Sequence, residues 1–259
     1  MHEWIKQAHE PSFADLIWSK PSNKQTAGKL LIIGGKSDNF SLPARAFEIA
    51  EKNGAGSVKV LLPSSLEKVA KLLPDVRFAP SNASGGFAAS SLGEWLDLAS
   101  WSDVSLLAGN IGQNSETTTL VDKFVLEHHK NLVISQDALT SCKIPAKQIL
   151  DLNLVLVIDL SSFQKIGMSA HLQLTVTTDT PMHKIAEHLK TISSQHNAHL
   201  VIQTASHLWV ASDGQVSSTE INNKIQNIDI STLCAIWKMQ NPKKIFEALT
   251  TACYELSEL

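Results

Sequence analysis

Short apolar runs separated by amphipathic stretches set the rhythm of this chain. Gly28 leads into Lys29-Leu30-Leu31-Ile32-Ile33, which Gly34-Gly35 ends, and the run reads as a buried strand. Ser41 stands where it can cap a helix over residues 42–53. Pro43 is tolerated in that helix's first turn, and Leu42, Ala46, Phe47, Ile49 and Ala50 make a broad apolar face. Gly54-Ala55-Gly56 stops the helix, Val58, Val60 and Leu62 form the next strand, and Pro63 closes it. Strand, helix and strand in this order predict a βαβ unit.

The alternation continues. Ser64 with Glu67 has the spacing of a capping box opening a helix to Leu73, and Ser91 with Glu94 repeats it ahead of Trp95 and Leu98. Apolar runs at Val104 to Ala108, Leu132 to Ile134, Leu154 to Ile158 and His199 to Gln203 are interleaved with helical patterns at 115–129 and 182–196. This predicts an α/β domain with a mostly parallel sheet covered on both faces. Leu208 to Ala211, followed by Ser212-Asp213-Gly214, predicts a hairpin strand. Two last helices, over 229–239 and 242–257, break at Asn241-Pro242. Residues 1–23 read as an N-terminal arm and 24–259 as one domain, a length that supports one large core.

Charge narrows the partners. With 22 Lys plus Arg against 25 Asp plus Glu the formal net charge is −3, so no basic field recruits nucleic acid or a membrane surface. Met1 to Lys20 lacks the uninterrupted apolar stretch of a signal peptide, and no apolar run approaches a membrane span. The three cysteines, Cys142, Cys234 and Cys253, are odd in number and widely spaced, which suits a reducing, cytoplasmic setting and buried, inert thiols.

Several familiar motifs fail on spacing. Gly35-Lys36-Ser37 follows a strand as a phosphate loop would, but that loop needs a glycine where Leu30 stands. A dinucleotide fingerprint lacks its third glycine. The histidine pairs His128-His129, His183 and His188, and His196 and His199 lack the helical chelate pattern with a companion carboxylate or thiolate, so they read as solvated surface residues and no metal site is expected. No Gly-x-Ser-x-Gly elbow marks a hydrolase. Asp229, at the start of the helix from Ile230 to Met239, is either a base beside a nucleotide or a helix cap.

Taken together, residues 24–257 resemble the ADP- or ATP-dependent NAD(P)H-hydrate dehydratases, a branch of the ribokinase-like fold. Gly28 to Ser37 is similar to that family's first strand, and Pro43 to Pro63 to its alanine-rich helix and Gly-Ala-Gly turn. Leu107-Ala108-Gly109-Asn110-Ile111-Gly112 stands at its Gly-Pro-Gly-Leu-Gly loop, and Ser135-Gln136-Asp137-Ala138-Leu139 at its Asp-Ala-Asp-Ala-Leu. In the second half, Val157 to Phe163 stands at Thr-Pro-His-Pro-Gly-Glu-Phe, Gln203 replaces the lysine of a Lys-Gly pair, and Gln226-Asn227-Ile228-Asp229 keeps only the aspartate of Gly-Ser-Gly-Asp.

The resemblance implies a three-layer α/β/α architecture around a mostly parallel sheet. It implies a hydro-lyase acting on a hydrated NAD(P)H-like nucleotide with ADP or ATP and Mg; many relatives assemble, so a homo-oligomer is one expectation, and the Trp4 to Trp18 arm packs either on its own domain or on a neighbour. Asp229 becomes the general acid/base, and Gly109, Asn110, Asp137, Gln203, Asn227 and Ile228 the nucleotide-site residues. Side chains on Asn227 and Ile228 are expected to crowd the anion site that glycines leave open. A non-catalytic binding module and a small-molecule kinase on the same fold are the alternatives, and fold analogy does not choose among them.

Overall fold

The computed structural model describes residues 4–8, 10–70, 73–172 and 176–258. The chain enters through β1 (Ile5–Gln7) and α1 (Ala14–Trp18). It continues through β2 (Lys29–Gly34), α2 (Ser41–Lys52), β3 (Ser57–Pro63), β4 (Val76–Ala79), α3 (Leu92–Trp101), β5 (Val104–Gly109), α4 (Ser115–Glu127) and β6 (Leu132–Ser135). The second half adds α5 (Gln136–Leu139), α6 (Ala146–Leu150), β7 (Val155–Asp159), α7 (Leu160–Ser169), α8 (Met182–Gln195), β8 (His199–Gln203), β9 (His207–Ser212), β10 (Gln215–Glu220), α9 (Asn227–Gln240) and α10 (Ile245–Ser257).

All ten strands join one sheet in the order β1-β10-β9-β8-β7-β6-β5-β2-β3-β4. The run from β4 to β8 is parallel, whereas β9 pairs antiparallel with both β8 and β10. The pleat divides each central strand between two cores. Leu30, Ile32, Val133, Val157 and Val201 pack under α2, α9 and α10. Leu31, Ile33, Ile134, Ile158 and Ile202 pack under α3, α4, α7 and α8. Strands buried on both faces need continuous apolar runs, which is why those runs were readable.

The hairpin forms at the expected turn, with Asp213 and Gly214 at φ of 50° and 75°, the left-handed pair that matches strand twist. Both capping boxes are corrected. Ser64 opens only a short 3₁₀ turn, with Lys71 and Leu72 outside the described residues, and Ser91 donates its hydroxyl to the Pro80 carbonyl instead of capping α3. Ser41 is the first residue of α2 rather than its cap, because Asn39 Oδ1 takes both its N–H and its hydroxyl, at 2.9 and 2.8 Å. β1, β4 and the helices α1, α5, α6 and α7 were not anticipated.

Of the arm, Met1–Glu3 and His9 lie outside the described residues. β1 runs parallel to β10 and Trp4 Nε1 donates to Ser218 Oγ at 2.9 Å, whereas Trp18 is 85% exposed. No helix among the described residues is long and apolar enough to cross a membrane. Cys234 and Cys253 are buried and burial pushes the half-buried Cys142 thiol up to about 12, so none is poised as a nucleophile. His199 overturns the surface reading of the histidines. It sits buried on the α9 side of β8, its Nδ1 2.7 Å from Ser212 Oγ.

Candidate functional site

The strand order reverses between β2 and β5, the point at which open α/β sheets leave a crevice beyond their carboxyl ends. There Gly34 faces Gly109 so closely that a Cβ at Gly34 would stand 2.4 Å from the Gly109 carbonyl oxygen. Asp137, from the turn after β6, accepts the Asn110 N–H at 2.6 Å. Asn110 in turn accepts the Leu42 N–H at 3.1 Å, so the loop after β5 is tied to the first turn of α2.

Beside this junction lies a cleft of about 490 Å³, formed by the ends of β5 to β8 and the start of α9. Asp137, Gln203, Asn227 and Ile228 of the expected set line it, together with Gln136, Asp159 and Lys224. Gly109, Asn110 and Asp229 stand beside it and are not part of its wall.

Asn227 does more than crowd the helix end. Its Oδ1 accepts the Gln136 N–H at 2.9 Å and its Nδ2 donates to the Val157 carbonyl at 3.0 Å, stitching the ends of β6 and β7 to α9. Gln136 extends the stitch: its Nε2 donates to Asp159 Oδ2 at 3.0 Å and its Oε1 accepts the Asp159 N–H at 2.8 Å. Ile228 is buried against the core. Donors on the cleft wall remain uncommitted. Gln203 is buried and its Nε2 has no acceptor. The N–H groups of Asn227 and Ile228, at the positive end of α9, are donors that a helix cannot satisfy internally.

Asp159 caps α7, accepting the Ser162 N–H at 2.7 Å and the Ser161 hydroxyl at 3.0 Å. Burial raises its carboxyl, but the hydrogen bonds from Ser162, Gln136 and Ser161 outweigh it and hold the group below its ordinary 3.8. The stability it contributes is therefore present above the unfolded carboxyl range and lost as the pH falls through the lower folded value. Asp159→Ala is expected to cost about 1–2 kcal/mol in urea denaturation at neutral pH, with the difference shrinking in acid.

Asp229 does not cap its helix. It is the third residue of α9, behind an N-cap Gln226 that makes no side-chain bond, and its carboxylate is gripped by Arg45 of α2. Arg45 Nε donates to Oδ1 at 2.5 Å and Nη2 to Oδ2 at 2.6 Å, a bidentate pair that raises the guanidinium pKa further. Arg45, Gln136, Asp159 and Lys224 had not been singled out for the site. Arg45 carries no local signal, since 184 residues separate it from Asp229. Asp159 had one, an aspartate ending an apolar run before Ser161-Ser162. No group of three His, Cys, Asp or Glu among the described residues forms a metal cluster.

With this geometry in view, comparison with solved structures decides the architecture. A ribokinase-like superfamily protein of Enterococcus faecalis superposes over 100% of this chain and 88% of its own, with a TM-score of 0.70 at 12% identity. The fold is ribokinase-like. The ADP/ATP-dependent NAD(P)H-hydrate dehydratase of Bacillus subtilis, co-crystallised with ATP and Mg²⁺, matches over 92% of this chain and 81% of its own, with a TM-score of 0.58 at 14% identity. By sequence, the chain is 29% identical over 131 residues to the bifunctional NAD(P)H-hydrate repair enzyme of Dictyoglomus turgidum, 49% of this chain but 26% of that enzyme. No family model matches the chain.

Proposed function

We propose that the cleft binds a nucleotide of the hydrated NAD(P)H class, with ADP or ATP as its companion, and that turnover is that of a nucleotide-dependent hydro-lyase. The observation that supports this reading is the open cleft with uncommitted donors on its wall, namely Gln203 Nε2 and the N–H groups of Asn227 and Ile228. Donors at a helix N-terminus suit phosphate oxygens, and Lys224 adds a cation on the same wall. Magnesium would arrive with the phosphates, and Asp137 and Asp159 are the carboxylates available to it. When bound it would screen phosphate charge.

Asp229 is the acid/base of this proposal. Its chemistry requires an oxygen released from Arg45, because both carboxylate oxygens are engaged by the guanidinium. That same ion pair favours a second reading, a binding module that keeps the cleft and has lost the reaction. Titration calorimetry with ADP and ATP, with and without magnesium, followed by turnover of NADH hydrate, separates the two. Binding with turnover that falls about a hundredfold or more in Asp229→Asn is the expected result for the hydro-lyase. Binding without turnover leaves the module, and neither heat nor a melting shift rejects a nucleotide site altogether.

A further inference from the structure

Helix α9 connects the cleft to a second cavity at the opposite end of the strands. Its N-terminal residues Asn227 and Ile228 line the first, and its C-terminal residues Lys238 and Met239 line the second. The second cavity, of about 400 Å³, is completed by Asp103 and Val104 at the start of β5, Lys130 and Asn131 before β6, Asn153 before β7, and Pro242 and Ile245. It belongs to the amino-terminal ends of the strands, away from the carboxyl-terminal crevice.

Lys238 is the unusual residue. It is only 3% exposed, yet its ammonium has no carboxylate within ion-pair distance and no hydrogen-bond acceptor among the described residues. Buried charges are normally paired, since removal from water costs several kcal/mol per ion. α9 is otherwise buried almost throughout, with Ile230, Leu233, Ile236 and Trp237 in the core, so an apolar residue would fit this site equally well. The Lys238 Nζ is not among the fully enclosed unpartnered polar atoms, and an unpaired lysine on the wall of a cavity is placed to take a partner from outside the chain.

We propose that this cavity binds a small organic anion, with Lys238 as the ion-pairing residue. Lys130 adds a second cation to the lining, and the side-chain amides of Asn131 and Asn153 are donors for the remaining oxygens. Val104, Met239 and Ile245 give a short apolar body a place to rest. The volume exceeds that of a lone oxyanion, so the ligand is a carboxylate or phosphate ester carrying a few carbons. Asp103 opposes an anion on its own side of the cavity. Its carboxylate accepts the Lys29 N–H at 2.8 Å, and the ligand's charge therefore seats toward Lys238 and Lys130. The negative end of α9 also faces this region, but a helix-end field fades within a turn and is weaker than a charge in contact. Burial draws the Lys238 ammonium down to about 8, and an anion would reverse that shift by stabilising the charged form.

The test uses the full chain with glycerol phosphate, butyrate and inorganic phosphate as probes, followed by calorimetry and thermal shift to the millimolar range. Saturable binding of glycerol phosphate or butyrate is expected, weakened about thirtyfold or more in Lys238→Met and retained in Lys224→Ala, which alters only the cleft. Which probe wins tells a phosphate ester from a carboxylate. Saturable binding of inorganic phosphate alone, binding lost in Lys224→Ala but kept in Lys238→Met, or no saturable binding of any probe, overturns the proposal. Lys238→Met is verified as folded by its own melting curve, so lost binding is not mistaken for lost structure.

Discussion

Replacing Lys238 by methionine is expected to raise the melting temperature at about neutral pH by roughly 5–10 °C. Burial without a partner lowers the ammonium from its ordinary 10.5 to about 8, a difference that corresponds to about 3 kcal/mol against the folded state. The sign follows from proton linkage. Between the folded and unfolded values the unfolded chain binds the extra proton, so the wild type gains stability as the pH rises through that window. Below it the penalty is present in full, and above the unfolded value it vanishes. Asp103 and Lys130 share the cavity, and His199, brought down to about 4 by burial with help from the Lys238 charge, is neutral throughout. The gap between variant and wild type should accordingly close by about pH 10.5. A variant less stable than wild type at neutral pH, or a gap independent of pH, would sink the assignment of Lys238 as an unpaired buried charge.

Gly109→Ala is expected to cost about 3 kcal/mol or more and to abolish ligand binding in the cleft. Two effects coincide there. The backbone φ is +112°, a region that side chains rarely enter, and a Cβ would lie 2.3 Å from the Asp137 carboxylate. That carboxylate is fixed by its bond to the Asn110 N–H, and Asn110 also holds the start of α2, so the clash has no soft direction to relax into. Asp137→Ala in the same chain removes the carboxylate contact but leaves the residue 137 Cβ 2.8 Å away and the strained dihedral in place. The double variant should recover part of the loss, and equilibrium unfolding of the four-member cycle measures how much. Full recovery would mean that the dihedral costs nothing, and additivity would mean that Asp137 moves aside freely.

The layering was legible in the chain because its cause is local. Strands such as Leu30 to Ile33 and Val155 to Ile158 are buried on both faces, which demands an apolar run, and the Ser212-Asp213-Gly214 turn demands residues that accept positive φ. β4 escaped because a short edge strand, Val76–Ala79, is only half-buried and carries Arg77, so no pattern distinguishes it from loop. The capping boxes misled because a serine hydroxyl serves whichever carbonyl the tertiary fold brings near, and Pro80 won at Ser91. In the site, Asp229 was visible as an acidic residue at a helix start, but Arg45 was not, since nothing in one helix announces its partner far along the chain. Lys238 was hidden in plain view. A single lysine near a helix end reads as solvated until the packing on every side is known.

The pairing of β1 with β10 makes synthesis order matter. Gln7 donates to Thr219 Oγ1 across 212 residues and to the Thr250 carbonyl across 243, from a position only 3% exposed. Contacts this distant in sequence are the slowest to form, because a long loop must close before they contribute. On the ribosome, β2 to β8 can assemble while the partners of β1 are still untranslated, so the edge of the sheet is finished last by a segment that emerged among the earliest. Until then β10 presents an open parallel-pairing edge, and the arm that fills it acts as the closing clasp of the nascent domain.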